Sequence, residues 1–253
     1  MSKSLEVKNI QKSFGGIMAV MDVTFNASPG EITSIIGPNG AGKTTLINII
    51  SGIYKPDKGK VFADKYDITG KPPYDIVNYG IKRTFQNIKT FSNMTLLENV
   101  MVGFHSASKY GFINSMLHFG YLKRQEKRIA EESYELLDKL DLSDYADYFP
   151  GELPYGIQKK LEIARTLSGN PDIILLDEPV AGLNIAESEE ISKIIFQLKE
   201  LGKTVILIEH DMNVVMEISN KIVCLQYGEK IAEGTPSEIQ NNSRVINAYL
   251  GVD

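Results

Sequence analysis

The chain has 253 residues, of which 43% are hydrophobic and 23% charged, and this composition is sufficient for one compact unit with a full core. Lysine and arginine total 27 against 32 acidic residues, so the net charge of −5 argues against nucleic-acid binding driven by bulk electrostatics. The first residues lack the apolar stretch of a signal peptide, and no segment is as long and apolar as a membrane span, so we expect the protein to stay in the cytoplasm.

Short strands dominate the beginning of the chain. Alternating apolar residues over 5–10 and 23–27, with a glycine turn between them, predict antiparallel strands, and the apolar run over 32–36 predicts a buried strand. A glycine-rich segment follows, and the apolar spacing from Thr44 onward predicts a helix. The chain therefore begins with an antiparallel β region that leads into a buried strand, a loop and a helix.

Residues 89–168 differ from this beginning, because they have helical patterns and are free of strand patterns. Strands return at 173–176 and 205–208, and the helical pattern over 187–201 between them is typical of a parallel, helix-covered sheet. The only cysteine, Cys224, lies in a further apolar run and is predicted to be a buried structural thiol. The sequence thus predicts an α/β fold with a mainly parallel sheet, an N-terminal antiparallel β subdomain and an inserted α-helical subdomain.

The glycine-rich segment matches the phosphate-binding pattern G-x-x-x-x-G-K-[ST] in its required context between a strand and a helix. The matching residues are Gly37, Pro38, Asn39, Gly40, Ala41, Gly42, Lys43, Thr44 and Thr45. In such a loop backbone N–H groups surround phosphate oxygens, Lys43 reaches the β and γ phosphates, and the Thr44 hydroxyl can ligate Mg²⁺. Thr45 is positioned to add a phosphate contact. An ordinary glycine-rich turn would not require Lys-Thr at the start of the helix.

Two adjacent carboxylates, Asp177 and Glu178, come directly after an apolar strand. Side chains there lie at the carboxyl edge of the sheet, where open α/β sheets bind their ligands. Asp177 is predicted to hold Mg²⁺ together with the phosphates, and Glu178 to polarise the attacking water. The alternative is a strand-end turn, since Asp-Glu-Pro is good turn chemistry. The phosphate loop favours the catalytic interpretation.

Further segments follow in a characteristic order along the chain. They are Thr84-Phe85-Gln86, Leu153 to Ile157 before the helix that contains Ile163-Ala164-Arg165, Ala181 to Asn184, and Ile208 to Asp211. In this order they resemble the ATP-binding cassette family over essentially the whole chain. The resemblance implies one ATPase domain over 1–253, with a nucleotide-binding core and β subdomain over 1–88 and 169–253, and a helical subdomain over 89–168.

The resemblance also implies roles for four single residues. Gln86 would sense Mg²⁺ and the attacking water and couple to a membrane partner, and His210 would contact the γ-phosphate. Phe14 matches the aromatic residue that stacks on adenine in this family, although it could instead belong to the core of a hairpin. Val20 lies where the family packs an aliphatic side chain beside the ribose.

The signature segment departs from the family pattern Leu-Ser-Gly-Gly-Gln, because only Leu153 and Gly156 match. In the family this segment faces the γ-phosphate bound by the other subunit of a dimer. Pro154 has neither a hydroxyl nor an N–H, so it cannot supply the serine contact. Either the segment serves a less active site of an asymmetric pair, or Tyr155 and backbone groups substitute for the serine.

The sequences of the signature helix and of the C-terminal region resemble those of one subgroup, the larger ATPase subunit of branched-chain amino-acid importers. This resemblance implies ATP and Mg²⁺ as cofactors. Its partners would be a second cassette, homo- or heteromeric, transmembrane permease subunits and, indirectly, a substrate-binding protein. The chain would lie peripherally at the cytoplasmic face of the cell membrane, with no nucleic-acid partner.

Other readings stay open at this point. They are a urea importer, a lipopolysaccharide-export cassette and a soluble cassette ATPase that acts on ribosomes or DNA. The aromatic-rich segment from Phe104 to Leu122 is predicted either to dock the permease or to form part of the helical core.

Overall fold

The computed structural model describes residues 2–84, 90–105 and 119–250, with the side chains of 105, 119–123 and 250 left out of the description. The chain divides into two compact units, one formed by Met1–Arg83 with Asp172–Asp253 and the other by Thr84–Pro171. No helix within the described ranges is long and apolar enough to cross a membrane.

Strands and helices both occur in the first and last parts of the described chain, whereas the described elements between residues 84 and 172 are helical. The strands are β1 (Leu5–Phe14), β2 (Ile17–Ala27), β3 (Ile32–Ile36), β4 (Lys58–Ala63), β5 (Tyr66–Asp67), β6 (Ile81–Arg83), β7 (Ile173–Asp177), β8 (Thr204–Ile208), β9 (Lys221–Gln226) and β10 (Glu229–Gly234). The helices are α1 (Lys43–Ile50), α2 (Pro73–Ile76), α3 (Leu96–His105), α4 (Phe119–Lys139), α5 (Tyr155–Leu167), α6 (Ile185–Glu200), α7 (Met212–Ile218), α8 (Pro236–Gln240) and α9 (Ser243–Leu250).

The first unit contains two sheets. One is antiparallel with the strand order β2-β1-β4-β5, and the other has the order β10-β9-β3-β8-β7-β6. In the second sheet all pairs are parallel except β9 with β10 at one edge. Strands β3, β7 and β8 are buried along their whole length, as expected for parallel strands covered on both faces. The predicted mixed α/β fold is confirmed.

The parallel register brings three strand ends to one edge of the sheet. Asp177 at the end of β7 lies opposite Ile208 at the end of β8, and Ile208 lies opposite Ile35 near the end of β3. The loops after β3, β7 and β8 therefore begin side by side. This edge is where the sequence places the phosphate loop, the carboxylate pair and His210.

A hydrophobic cluster within the first unit packs its C-terminal helices against strands of the parallel sheet. It joins Ile36 of β3 and Cys224 of β9 to Val215 of α7, Ile239 of α8 and Val245 of α9. Cys224 is fully buried, and burial raises its thiol pKa to about 11. The predicted burial of this thiol is confirmed.

The second unit is helical in its described residues, where α3 packs against α4 and α5. Fully buried Asn99 orders the loop before it, because its Nδ2 donates to the carbonyl oxygens of Phe91 at 3.0 Å, Met94 at 3.0 Å and Thr95 at 2.9 Å. The segment predicted to dock a permease, Phe104 to Leu122, lies largely outside the described residues.

Candidate active site

The segment after β3 turns through glycines in backbone conformations that favour glycine. Gly37, Gly40 and Gly42 have φ values of 148°, 80° and 102°. A Cβ at Gly37 would lie 2.1 Å from the Leu225 carbonyl oxygen, and one at Gly42 would lie 2.4 Å from that of Ala19. Two of the three glycines are thus required by close backbone approach as well as by conformation.

Lys43 at the start of α1 folds back over this loop. Its Nζ donates to the carbonyl oxygens of Gly37 at 2.5 Å and Pro38 at 3.1 Å. Burial lowers the pKa of Lys43, and the charges of Glu178 and Asp177 act in the opposite direction. The loop follows β3 and the carboxylate pair lies at the end of β7, so both lie at the same edge of the sheet.

The first turn of α1 supplies the remaining loop residues. The helix begins with the bond from Leu46 N to the Gly42 carbonyl oxygen at 2.9 Å, and Gly42 provides no side-chain cap. The N–H groups of a first helical turn have no partner within the helix and carry partial positive charge. Thr44 is exposed and Thr45 half-buried, so both hydroxyls lie at the end of a helix suited to bind an anion.

Asp177 is held by a buried ion pair that the sequence did not reveal. Its Oδ2 accepts from Arg83 Nη2 at 2.8 Å. Arg83 Nη1 donates to Asn48 Oδ1 on α1 at 2.6 Å and to Oγ of Ser51, the C-cap of α1, at 3.0 Å. Arg83 thus links β6, β7 and α1. A carboxylate has about four lone-pair positions, so this pairing leaves the metal-binding role of Asp177 open.

Glu178 is one of the non-glycine residues with positive φ, at 51°. Its N–H donates to the carbonyl oxygen of Ile208 at 2.9 Å, and its own carbonyl oxygen accepts from Ala181 N at 3.2 Å. A left-handed conformation costs a residue with a Cβ about 1–2 kcal/mol, so the surrounding contacts must hold it. The side chain is half-buried beside the phosphate loop.

His210 follows β8 with its side chain 65% exposed, and its backbone N–H donates to the adjacent Glu209 at 3.0 Å. Glu209 is 1% exposed and also accepts from Val180 N at 3.0 Å. Sequence reasoning placed no role on Glu209, although an acid directly after a buried strand is an unusual residue. Gln86, predicted to be catalytic and to bind Mg²⁺, lies outside the described residues.

Phe14 ends β1 with 43% of its surface exposed, so it is not a core residue of the hairpin. The Tyr54 ring meets it edge-on at a centroid distance of 5.2 Å. Asp57 holds Lys12 and Ser13, the two residues before Phe14. Its carboxylate accepts from Lys12 Nζ at 2.8 Å and from Ser13 N at 2.7 Å and Oγ at 2.9 Å. The hydrogen bonds from Lys12 and then Ser13 lower the pKa of Asp57 to about 2.

Val20 behaves differently from Phe14. Its side chain is 0% exposed and belongs to the hydrophobic core of the first unit, together with Val7, Leu46 and others. A side chain packed in this way presents no surface to a ligand. The side chain of Val20 therefore faces the core, and the burial does not support the ribose contact that the family resemblance implied.

The signature segment lies in the second unit and leads into α5. Pro154 is the N-cap in an extended conformation and gives no side-chain cap, while its carbonyl oxygen accepts from Gln158 N at 3.2 Å. Leu153 and Gly156 are buried, and Tyr155 is 44% exposed with Lys159 Nζ 5.9 Å from its ring centroid. A proline at this point starts the helix but supplies no hydroxyl.

The oxygen donors at the sheet edge fit Mg²⁺. The Thr44 hydroxyl and the Asp177 carboxylate are hard oxygen ligands, and Mg²⁺ in such sites is completed by phosphates and water. Within the described residues no group of three or more histidine, cysteine or acidic side chains could hold a metal ion by itself. The arrangement therefore suits a metal that arrives with a phosphate ligand.

The chain matches two family models and many known proteins. Residues 20–181 match the model described as ABC transporter, and residues 229–253 match the one described as branched-chain amino acid ATP-binding cassette transporter. The high-affinity branched-chain amino acid transport ATP-binding protein BraF of Pseudomonas aeruginosa is 41% identical, with 98% of this chain and 97% of the relative aligned.

Solved structures agree with this match. MJ1267, an ATP-binding cassette of an ABC transporter solved in its ADP conformation, is 35% identical with a TM-score of 0.86, covering 99% of this chain and 100% of that chain. The dimeric structure of MJ0796, a bacterial ABC transporter cassette, is 30% identical with a TM-score of 0.78, covering 92% and 98%. The protein belongs to the ATP-binding cassettes of the ABC transporter family.

Proposed function

We propose that this chain is the ATP-hydrolysing subunit of an importer for branched-chain amino acids. The ATPase part rests on the phosphate loop and the carboxylate pair lying at one sheet edge. The substrate part rests on the match to the relative from Pseudomonas aeruginosa along nearly the whole chain and on the C-terminal match over 229–253. These matches favour branched-chain amino acids over the alternative cargoes, urea and lipopolysaccharide.

In this proposal the phosphate loop binds ATP through its backbone N–H groups and Lys43. Pro38, Asn39, Gly40 and Ala41 form the turn around the phosphates, and the first turn of α1 adds Thr44 and Thr45. Lys43 gives up its bonds to the loop carbonyls to reach the β and γ phosphates. Mg²⁺ held by Thr44, Gln86 and Asp177 would supply positive charge at the phosphates.

Hydrolysis would use the acid end of the site. Glu178 orients and polarises the attacking water by accepting a hydrogen bond from it, and His210 contacts the γ-phosphate from the neighbouring strand end. Gln86 would sense the same water. Phe14 provides an exposed ring on which adenine stacks, a contact worth about 1–3 kcal/mol per base.

The site would be completed by a second cassette. The known dimer of a related cassette supports a dimer here, in which Leu153 and Gly156 of the signature segment face the γ-phosphate bound by the partner. We further propose that residues 89–168 form the helical subdomain and that the dimer binds permease subunits, with a substrate-binding protein delivering the amino acid. The chain would then lie at the cytoplasmic face of the membrane.

The test is transport by a reconstituted complex. The chain, the permeases and cassette encoded beside it and the neighbouring binding protein are placed in liposomes that contain ATP, and uptake of labelled leucine and labelled urea is compared. We expect ATP-dependent leucine uptake that is lost with Lys43→Ala and kept with Lys65→Ala, a lysine of the turn between β4 and β5. Uptake of urea alone would contradict the proposed substrate.

A further inference from the structure

Glu209 is a buried carboxylate whose two oxygens hold two different loops. Oε1 accepts from Val180 N at 3.0 Å, in the turn after Glu178. Oε2 accepts from His210 N at 3.0 Å and from Asp211 N at 3.5 Å. The side chain is completely covered, so these backbone donors replace the water that an exposed carboxylate would bind.

We propose that Glu209 is a positioning residue for ATP hydrolysis, which fixes the turn that carries Glu178 and the loop that carries His210 relative to each other. The inference rests on the proposed function, because it takes Glu178 as the residue that polarises water. Glu209 itself touches no reacting atom in this role. It acts through the backbone of the residues beside it.

The turn from Glu178 to Ala181 shows why such a clamp is needed. Glu178 has a left-handed backbone conformation, which persists only where neighbouring contacts hold it. One end of the turn is fixed by the bond from Glu178 N to the Ile208 carbonyl oxygen at 2.9 Å. The other end is fixed by the Val180–Glu209 bond. Both anchors come from the end of β8, so the direction of the Glu178 side chain depends on that strand.

The same carboxylate fixes the start of the His210 loop while leaving the ring accessible. Glu209 Oε2 lies 3.8 Å from His210 Nδ1, and the imidazole is 65% exposed. Asp211 continues the arrangement as the N-cap of α7, with its Oδ1 accepting from Asn213 N at 2.9 Å. The backbone at 209–213 is thus held by hydrogen bonds to the side chains of Glu209 and Asp211, while the His210 ring stays exposed.

A carboxylate with two acceptor oxygens is the side chain that fits these donors. Burial raises the pKa of Glu209 above its ordinary value, and the hydrogen bonds from the backbone of Val180, His210 and Asp211 act in the opposite direction. Glutamine has the same length but only one acceptor oxygen. Its amide nitrogen would face a backbone N–H group, so it can hold one loop and must release the other.

The experiment compares ATP hydrolysis by the full chain and its Glu209→Gln variant. We expect kcat to fall roughly 10- to 100-fold with KM for ATP within about twofold of the wild type, because a shift of about 1 Å in a catalytic group has this effect on turnover. Glu209→Asp keeps two acceptor oxygens on a shorter side chain. We expect it to lose at least about threefold in kcat, and it serves as the test if the glutamine variant does not fold.

A stability control separates positioning from simple weakening of the fold. Ile206→Val removes a buried methyl group from the same strand and lowers the melting temperature without touching the clamp. We expect its kcat to stay within about twofold of the wild type. If Ile206→Val lost as much kcat as Glu209→Gln at a similar melting temperature, the positioning role would be overturned.

The double variant Glu178→Gln/Glu209→Gln tests the route of the effect. If Glu209 acts through Glu178, its removal should lower kcat by less than about threefold once Glu178 is already replaced. Full multiplication of the two losses, or a wild-type kcat in Glu209→Gln, overturns the inference. A wild-type chain without Glu178-dependent ATPase activity contradicts the proposed function and, with it, the role of Glu209.

Discussion

The phosphate loop and the signature segment lead the chain into their helices in similar ways. Each leads the chain into a helix whose N-cap provides no side-chain cap, Gly42 for α1 and Pro154 for α5. In each case the N-cap carbonyl oxygen accepts the first helical bond, from Leu46 N and Gln158 N respectively. Both helices therefore begin with first-turn N–H groups that have no partner within the helix.

Their glycines have different purposes. Gly37, Gly40 and Gly42 have positive φ, which lets the loop curve around a phosphate. Gly156 is the second residue of α5 and is buried there in a helical conformation. The loop can surround an anion, whereas the signature segment can only present the end of a helix to one. A glycine close to the start of a helix therefore does not by itself define a phosphate loop.

The largest effect is expected from replacing Glu178, which should largely stop hydrolysis while the phosphate loop still binds ATP. Glu178→Gln should lower kcat for ATP by roughly 10²–10⁴-fold and leave the dissociation constant for ATP within about twofold, because the loop binds and the acid polarises water. Phosphate release and equilibrium nucleotide binding measure the two quantities, and size-exclusion chromatography with ATP should show a trapped dimer. Glu189→Gln, an exposed acid on α6, is the control.

Near-normal turnover in Glu178→Gln would remove this residue from the catalytic role. A parallel loss of ATP affinity would show instead that binding and chemistry are not divided between the loop and the acid.

A second pair of variants tests which glycines the loop needs. Gly37→Ala should lower the free energy of unfolding by about 2–5 kcal/mol, since left-handed strain adds to overlap with the Leu225 carbonyl oxygen. Gly40→Ala should cost only about 1–2 kcal/mol, because nothing lies within 4 Å of the added Cβ. Urea denaturation without nucleotide measures both. Equal losses would mean that backbone conformation alone sets the requirement.

The sequence predicts this loop because its nine residues are contiguous and their spacing matches the phosphate-binding pattern directly. Arg83 and Glu209 could not be found in the same way. Arg83 meets Asp177 across a separation of 94 residues and Glu209 meets Val180 across 29, so both contacts exist only once the sheet is formed. Apolar periodicity likewise predicts that a strand such as β3 exists, but not that it lies between β8 and β9.

Side-chain burial is another property that the sequence did not predict correctly for every residue. The family resemblance places Phe14 and Val20 beside the nucleotide, yet the fold exposes Phe14 and buries Val20 completely. Both are apolar residues in the first hairpin, formed by β1 and β2. The pairing of these two strands is irregular, so simple alternation along the sequence does not show which side chains face the core.

A smaller effect, on KM for ATP, is expected from replacing Asp57, which binds the two residues before Phe14. Asp57→Asn removes the charge that Lys12 and Ser13 bind, and we expect KM for ATP to rise about two- to fivefold, less than the loss of the whole stacking contact. Asp67→Asn is the matched control, since this exposed acid on β5 also has a pKa of about 2 and lies against Thr69 and Lys60. Its KM should not change.

The pH dependence of this effect follows from the lowered pKa. The folded state lowers the pKa of Asp57 from 3.8 to about 2, so the contribution of its carboxylate is complete above the unfolded value and is lost as pH falls through about 2. The ratio of KM values for Asp57→Asn and wild type should therefore be constant between about pH 6 and pH 8. A ratio that changes over this range would point to another titrating group.

The smallest expected effect concerns the signature segment. Pro154→Ser restores a hydroxyl at the N-cap of α5, which stabilises a helix by about 1 kcal/mol, while loss of the proline ring gives back about 0.4–1 kcal/mol of unfolded-state entropy. We therefore expect the free energy of unfolding to change by less than about 0.5 kcal/mol. Any gain in kcat then reports on the phosphate contact and not on folding.

We expect that gain to be about two- to fivefold in the dimer, because one neutral hydrogen bond of ordinary strength contributes about 0.5–1 kcal/mol. Pro154→Ala is the control, since it removes the ring without adding a hydroxyl. An equal rate in both variants would mean that Tyr155 or the backbone of α5 already supplies the contact that serine makes in the family. The signature segment would then match the phosphate loop in relying on its backbone.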